Sequence, residues 1–248
     1  MMNMKNQCYL LSLEEIMTGA EVERFQKEAF GKVDNARRMR AESMQPGKAR
    51  AACLGAGLLL QLAMQERAKA YGAEAGRLQS AEAGAVECPE EPMVYSVSQV
   101  LQLLKEPLEL LLDYGKKGKP YLREYPYYFN LSHSGEYVVC AVSDQEIGAD
   151  IQQCVSVDVV RLAGRFFSPE ECKALAAYET ESEKRQFFFR QWTRKEAYGK
   201  LIGEGIAGTI TVNLLPGADG EAKGLCWQEW DLPEGYKMAL CQRVRCER

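Results

Sequence analysis

The sequence has almost no histidine: one residue, His133, in a chain of 248. That scarcity excludes multi-histidine zinc sites and the H-E-x-x-H arrangement. Any metal must then be held by oxygen, which points to Mg²⁺, Mn²⁺ or Ca²⁺. C-x-x-C pairs are also missing, although there are nine cysteines. An odd, scattered set fits a reducing compartment better than a disulfide framework, and Cys53 and Cys140 sit in apolar runs as small core residues. Long hydrophobic runs are lacking too. The longest apolar stretch, Leu54 to Met64, is far shorter than the roughly 20 residues of a membrane span. Met1 to Tyr9 has no basic segment leading into an apolar run, so no signal peptide is read and a cytoplasmic location is expected. Finally, there is no excess of positive charge. A formal charge of −4 argues against a general nucleic-acid binder, which would draw its affinity from neutralising phosphates.

What is present is ordinary globular composition, 46% hydrophobic and 27% charged, enough to bury a core. Ser12 and Glu15 are spaced as a capping box opening a helix to about Phe30. Ala49 to Tyr71 carries leucines at helical spacing. The Ala-, Gly- and Glu-rich stretch from Gly72 to Pro92 reads as an exposed loop or insertion, and Ser96 to Lys105 as a short helix. Leu108 to Tyr114 is strand-like and leads into a basic turn, 115–120. Strands are expected over Tyr127–Leu131, Tyr137–Ser143 and Glu146–Ile151, the last two joined by a tight turn at Asp144-Gln145. Val157–Phe166 reads as helix. Ser168-Pro169-Glu170-Glu171 is a helix start, with an N-cap serine, a first-turn proline and acids at the positive end of the dipole. Glu183–Ile202 is the strongest helix of the second half. Ile210–Leu214, Leu225–Trp230 and Tyr236–Val244 read as closing strands. Helices and antiparallel-looking strands mixed in both halves give an α+β class, with a joint near Gln145 that separates 1–145 from 146–248.

Four segments carry candidate chemistry. In 129–135 (F-N-L-S-H-S-G), a strand ends in hydroxyls, an imidazole and glycine, groups that suit phosphate oxygens; alone it reads equally as a turn with a structural histidine. In 147–152 (I-G-A-D-I-Q), Asp150 and Gln152 lie two apart and face one side of a strand, offering a carboxylate and an amide oxygen as hard ligands for Mg²⁺. In 188–200 (F-F-R-Q-W-T-R-K-E-A-Y-G-K), Phe189, Thr193, Glu196 and Lys200 share one helical stripe. By itself the Glu196–Lys200 spacing is that of a solvated helix pair. The fourth feature is two basic clusters in an acidic chain, Arg37, Arg38, Arg40, Lys48 and Arg50, and Lys116 to Lys119, which suggest an anionic ligand.

Together these segments resemble one family. Asn130-Leu131-Ser132-His133-Ser134, then Gly148-Ala149-Asp150, then Trp192-x-x-Lys195-Glu196-Ala197-x-x-Lys200 look like the signature of the Sfp-type phosphopantetheinyl transferases. Gly118-Lys119-Pro120, Phe166-Phe167-Ser168 and 235–239 (G-Y-K-M-A) support the match, which runs from about Arg37 to Cys241. No counterpart is seen for 72–105, an insertion in the N-terminal half. The resemblance implies two similar α+β halves related by a pseudo-twofold, with a coenzyme A cleft between them, in a monomer. It implies transfer of 4′-phosphopantetheine from coenzyme A to a serine of an apo acyl or peptidyl carrier protein, with Mg²⁺, or Mn²⁺ in its place.

By the same resemblance Asp150, Gln152 and Glu196 would hold the metal, and Glu196 would act as the base or position a water that does. Lys200 would neutralise the pyrophosphate, and Ser132 and His133 would contact coenzyme A phosphates. Arg37, Arg40, Lys48 or Arg50 would bind the 3′-phosphate, and Gly118, Lys119 and Pro120 would lie against the adenine. Neither nucleic acid nor membrane is expected as a partner. Many relatives carry Asp-x-Glu where this chain has Asp150-Ile151-Gln152, so weaker metal binding is expected. Gln152 is also the one feature favouring an inactive homologue that only binds coenzyme A or a carrier. A metal-dependent nuclease or phosphatase built on Asp150 and Glu196 leaves the Ser-His-Ser strand end and Lys200 unexplained.

Overall fold

The computed structural model describes residues 7–16, 18–74, 91–115, 117–123, 125–218 and 224–243. The chain forms two compact units: one from 1–113, 122–127 and 131–144, the other from 114–121, 128–130 and 145–248.

The first unit is built on strand β1 (Gln7–Ser12), which pairs in parallel with β2 (Met93–Ser96) and antiparallel with β6 (Tyr137–Ser143). The sheet order is β2-β1-β6-β5, where β5 is Tyr128–Ser134. Helices α1 (Gly19–Phe30), α2 (Asn35–Glu42), α3 (Lys48–Glu74) and α4 (Val97–Leu103) complete it. From Ala51 to Met64 every residue of α3 is buried, as expected for a helix apolar on all sides. Two glycines permit this. A Cβ on Gly55 would stand 3.0 Å from Leu11 Cδ2 of β1, and one on Gly57 would stand 2.6 Å from Arg37 Cγ of α2. Two residues along a helix turn it by about 200°, so the two glycines admit neighbours on opposite sides.

Some expectations fail here for non-local reasons. Ser12 closes β1 and opens no helix; the capping box of α1 is formed by Thr18 and Glu21. The strand expected over Leu108–Tyr114 is reduced to β3, Leu112–Tyr114, paired with β4 (Pro120–Leu122). The buried amide of Gln61 takes the place of a strand partner, donating to Leu108 O and accepting from Leu108 N, each at 2.8 Å. Of the loop expected over 72–92, residues 75–90 lie outside the described residues, and 72–74 continue α3. Lys116 of the basic turn is also outside them.

In the second unit, β7 (Ile147–Gln153), β9 (Tyr236–Arg243) and β8 (Leu225–Leu232) form an antiparallel sheet in that order. Helices α5 (Val159–Phe166), α6 (Pro169–Ala176) and α7 (Glu181–Ile202) accompany it, and α7 lies across β7 and β9. Thr180 and Glu183 form the capping box of α7, and Gly203, at φ 75°, ends it in the left-handed conformation, which glycine adopts without penalty. β7 is not the second arm of a hairpin with β6. It pairs with β9, Ile151 opposite Met238, and residues 144 and 145 fall in different units. The strand expected over Ile210–Leu214 is absent: a 3-10 turn, Ile206–Thr209, leads into irregular chain.

Candidate active site

Gly148 positions the second unit's polar residues. A Cβ there would lie 1.9 Å from Ala197 O and 2.6 Å from Leu201 N, so β7 and α7 touch backbone to backbone. Residues two apart on a strand share a face, hence Asp150 is presented to α7 just beyond this contact. One turn of α7 on from Glu196 comes Lys200, whose Nζ donates to Asp150 Oδ1 at 2.6 Å. Asp150 is 4% exposed, while Glu196 and Lys200 are half-buried. Burial, and then the negative charge of Asp150, push the Glu196 carboxyl above its ordinary range, with Lys200 pulling the other way. Asp150, Glu196 and Lys200 are therefore electrostatic neighbours.

Gln152 follows Asp150 on the same face, opposite Lys237 of β9; Lys237 itself is engaged by Asp231 Oδ1 at 2.7 Å. Among the described residues no group of three or more His, Cys, Asp or Glu side chains could hold a metal. The available donors are two carboxylates and an amide oxygen. That set fits Mg²⁺, which commonly binds through one or two carboxylates and completes its shell with water and substrate phosphates.

Of the residues expected at the adenine, Lys119 belongs to this unit. Its ammonium donates to Leu201 O at 2.9 Å at the C-terminal end of α7, where carbonyls lack helical partners. Burial holds its pKa below the ordinary lysine value. Gly118, at φ 82°, makes the turn, its N–H donating to Gly115 O at 2.8 Å, and Pro120 opens β4. Lys117 pairs with Glu204.

Two residues tie this site into the fold without having been singled out. Asn130, from the strand-end motif, accepts the Ala149 N–H at 3.0 Å and so holds β7 beside Asp150. Lys195, adjacent to Glu196, is fully buried, and its ammonium meets Thr209 O at 2.7 Å, Val212 O at 2.8 Å and Glu171 Oε2 at 2.9 Å. Within 210–214 the Val212 carbonyl is turned to this lysine and the Leu214 N–H to Glu171 Oε1, which takes both groups away from strand pairing. Sequence spacing marked the Asn130 and Lys195 motifs but gave no signal for these contacts.

The first unit holds the other candidates. Ser132 is buried and His133 exposed, both on β5. Arg37 is half-buried with its guanidinium 3.8 Å from Cys53 Sγ, Arg40 is exposed, and Lys48 lies 3.6 Å from Glu136. Arg50 donates to Met44 O and, with Phe30, Gly31, Arg38 and Glu42, lines a cleft of about 500 Å³. The cleft thus combines Arg50 with Arg38, a cation of the same cluster that was not among the four expected at the phosphate.

Residues 146–241, the stretch that carries Asp150, Glu196 and Lys200, match the model of the 4′-phosphopantetheinyl transferase superfamily. This part of the chain is similar to that superfamily. Relatives agree. The 4′-phosphopantetheinyl transferase psf-1 of Bacillus pumilus is 36% identical over 145 residues, 54% of this chain and 61% of its own length. HetI of Nostoc sp., also named a 4′-phosphopantetheinyl transferase, is 38% identical over 135 residues, 52% of this chain and 56% of its own. Sfp of Bacillus subtilis is 31% identical over 139 residues, 50% and 59% respectively. The matches thus span about three fifths of the length of these curated relatives. No described helix is long and apolar enough to cross a membrane.

Proposed function

We propose that the chain transfers the 4′-phosphopantetheine group of coenzyme A to a serine hydroxyl of an apo acyl or peptidyl carrier protein, releasing adenosine 3′,5′-bisphosphate. The observation that carries this reading is the Asp150–Lys200 contact beside Glu196, inside the stretch that matches the superfamily model. In the reaction the serine Oγ forms a bond to the β-phosphorus, and the bond from that phosphorus to the leaving bisphosphate oxygen breaks. Glu196 accepts the serine proton, directly or through a water. Its raised pKa suits that role, because a carboxylate that holds a proton more tightly is a stronger base.

Mg²⁺, or Mn²⁺, held by Asp150 and Glu196 with Gln152 beside them, would supply charge neutralisation and orientation of the pyrophosphate. Lys200, whose ammonium donates to Asp150 Oδ1 at 2.6 Å, would offer its charge to a phosphate oxygen of the pyrophosphate. Ser132, His133 and the cluster Arg37, Arg40, Lys48 and Arg50 would bind coenzyme A phosphates. The Arg38–Arg50 cleft favours Arg50 within that set and adds Arg38. Gly118, Lys119 and Pro120 would lie against the adenine. The proposal includes the finer architecture of two similar halves. It is supported by each unit, taken by itself, having a long helix packed on antiparallel strands. It also includes a monomer in the cytoplasm, consistent with the free, buried Cys8, Cys53, Cys140 and Cys241.

The test is incubation with coenzyme A, Mg²⁺ and a panel of apo carriers, followed by intact-mass measurement. A carrier that gains one phosphopantetheine group supports the reading. Tight coenzyme A binding without transfer to any carrier overturns it in favour of a binding protein, the alternative that Gln152 leaves open.

A further inference from the structure

Lys195 and Glu171 are charged residues that the proposed chemistry leaves idle, and both are 0% exposed. Burying an ion pair is costly unless its remaining hydrogen-bonding capacity is filled, and here it is filled. The ammonium has three acceptors, Thr209 O, Val212 O and Glu171 Oε2. The carboxylate takes Ser168 N at 2.7 Å on Oε2, besides the lysine, and Gln191 Nε2 at 2.6 Å and Leu214 N at 2.9 Å on Oε1. One pair thus joins three pieces of chain: the first turn of α6, the 209–214 segment, and α7 at two points. Glu171 began as the capping-box acid of α6. The equivalent acids of α1 and α7, Glu21 and Glu183, make their capping-box hydrogen bonds at the solvent-exposed surface, so helix capping alone does not demand this burial.

The direction of the pair matters. Gln191 and Lys195 are four apart and leave α7 on one side, whereas Glu196 and Lys200, also four apart, leave it about 100° further round. Three acceptors at fixed positions specify both the rotation and the axial setting of the helix. An apolar side chain of similar volume would fill the space without fixing either. The contact at Gly148 sets the distance between α7 and β7 and the line of α7 backbone, Ala197 to Leu201, that faces the strand; the buried pair adds acceptors of fixed position on another side of the helix.

We propose that Lys195 and Glu171 are positioning residues: their buried network fixes the rotation of α7 and thereby holds Glu196 and Lys200 at Asp150. The proposal rests on the transferase reading for its kinetic consequence, and on geometry alone for its binding consequence. Two variants test it, Glu171→Gln, which keeps the side-chain shape, and Lys195→Met/Glu171→Gln, which leaves no unpaired buried charge. Thermal melting, Mg²⁺ binding by calorimetry in the presence of coenzyme A, and steady-state transfer are measured on each. The expected result is a cooperative melt with Mg²⁺ affinity and half-saturation weakened roughly tenfold in the double variant, as for residues that orient metal ligands. The effect is smaller in Glu171→Gln, and KM for coenzyme A changes less than kcat. Cooperatively folded variants with Mg²⁺ behaviour within twofold of the parent would overturn the proposal and leave the pair a purely structural device. If the double variant does not melt cooperatively, Glu171→Gln decides by the same criterion. If the parent binds Mg²⁺ with coenzyme A but transfers nothing, the transferase reading fails while calorimetry still decides the positioning role. A parent that binds no Mg²⁺ sinks both.

Discussion

Helix α3 buries Ala51, Leu54, Leu58, Leu59, Leu62 and Met64, with Gln61 the polar exception in the middle of that run; α7 buries Gln191, Thr193, Arg194 and Lys195 alongside Phe188, Phe189 and Ala197. Both helices cross antiparallel strands, and both meet them at a glycine. Between Leu54 and Leu60 α3 is held by apolar contacts that are non-directional and roughly proportional to area, which suits a scaffold; its directional contacts come further along, Gln61 with Leu108, Glu66 with Tyr9 and Arg67 with Val142 O. α7 is held on several sides by polar contacts of fixed geometry: Lys195 with Glu171, Arg194 with Glu229 at 2.7 Å, and Arg190 with Asp231 at 3.1 Å. A helix that must present two charged side chains to a third on a strand needs its rotation specified, and directional contacts specify it.

The sharpest way to break this comparison is to add one methyl group to each helix–sheet contact. In Gly148→Ala the new Cβ meets backbone, Ala197 O at 1.9 Å, which neither element can relieve without separating. A loss of about 3 kcal/mol or more is expected in urea titrations, together with loss of transfer. In Gly55→Ala the nearest atom is the end of a leucine side chain at 3.0 Å. Its displacement is offset by the roughly 1 kcal/mol helix preference of alanine over glycine, so stability stays within about 1 kcal/mol of the parent. Equal losses at the two positions would remove the distinction between the contacts.

Next in size is the difference between chemistry and binding. Asp150→Ala and Glu196→Gln are expected to lower transfer by about 10³-fold, equivalent to roughly 4 kcal/mol of barrier, with cooperative melts retained. Arg50→Ala, in the first unit's cleft, is expected to raise KM for coenzyme A about tenfold with kcat nearly unchanged, the pattern for lost uniform binding. Full activity in either carboxylate variant would refute the assignment of the metal site. A smaller effect belongs to Gln152→Glu. A third carboxylate on the face of Asp150 is expected to lower the Mg²⁺ needed for half-maximal rate by about three- to tenfold, and an unchanged requirement would place Gln152 outside the metal's reach.

These contrasts also mark what the sequence could reveal. The helix periods of α3 and α7, the Ser168 cap and the edges of β6 were legible because local pattern decides them. That Asp150 shares a strand face with Gln152, and Glu196 a helix face with Lys200, was legible from the two periods, and the structure adds the Asp150–Lys200 contact; the roles of these residues at a metal rest on the resemblance. Partner choice was not legible. β7 looked like the continuation of a turn from β6, but its register with β9 depends on residues almost ninety positions away. Leu108 and the 209–214 segment lost strand pairing to single buried side chains, Gln61 and Lys195. Glu171 read as an ordinary dipole acid, since spacing carries no information about burial. Ser132, His133 and the arginine cluster rest on the resemblance, with only the Arg38–Arg50 cleft adding structural support.

The smallest effect concerns charge within the site. Burial and Asp150 raise the pKa of Glu196 above its ordinary value of 4.5, so the folded chain binds this proton more tightly than the unfolded chain does. Stability must then fall as pH rises from the ordinary carboxylate range through the raised value, and no penalty remains below that range. Glu196→Gln removes the ionisation. In metal-free buffer near neutral pH the variant should therefore melt above the parent, by a few degrees at most for a chain of this size, and the gap should close as the pH is lowered towards 4. Mg²⁺ with coenzyme A should stabilise the parent and not the variant, reversing the order of the two melts at neutral pH. A gap that stays constant across the acid range would mean that Glu196 carries no electrostatic cost in the folded chain. The raised basicity invoked for the serine proton would then have no physical source.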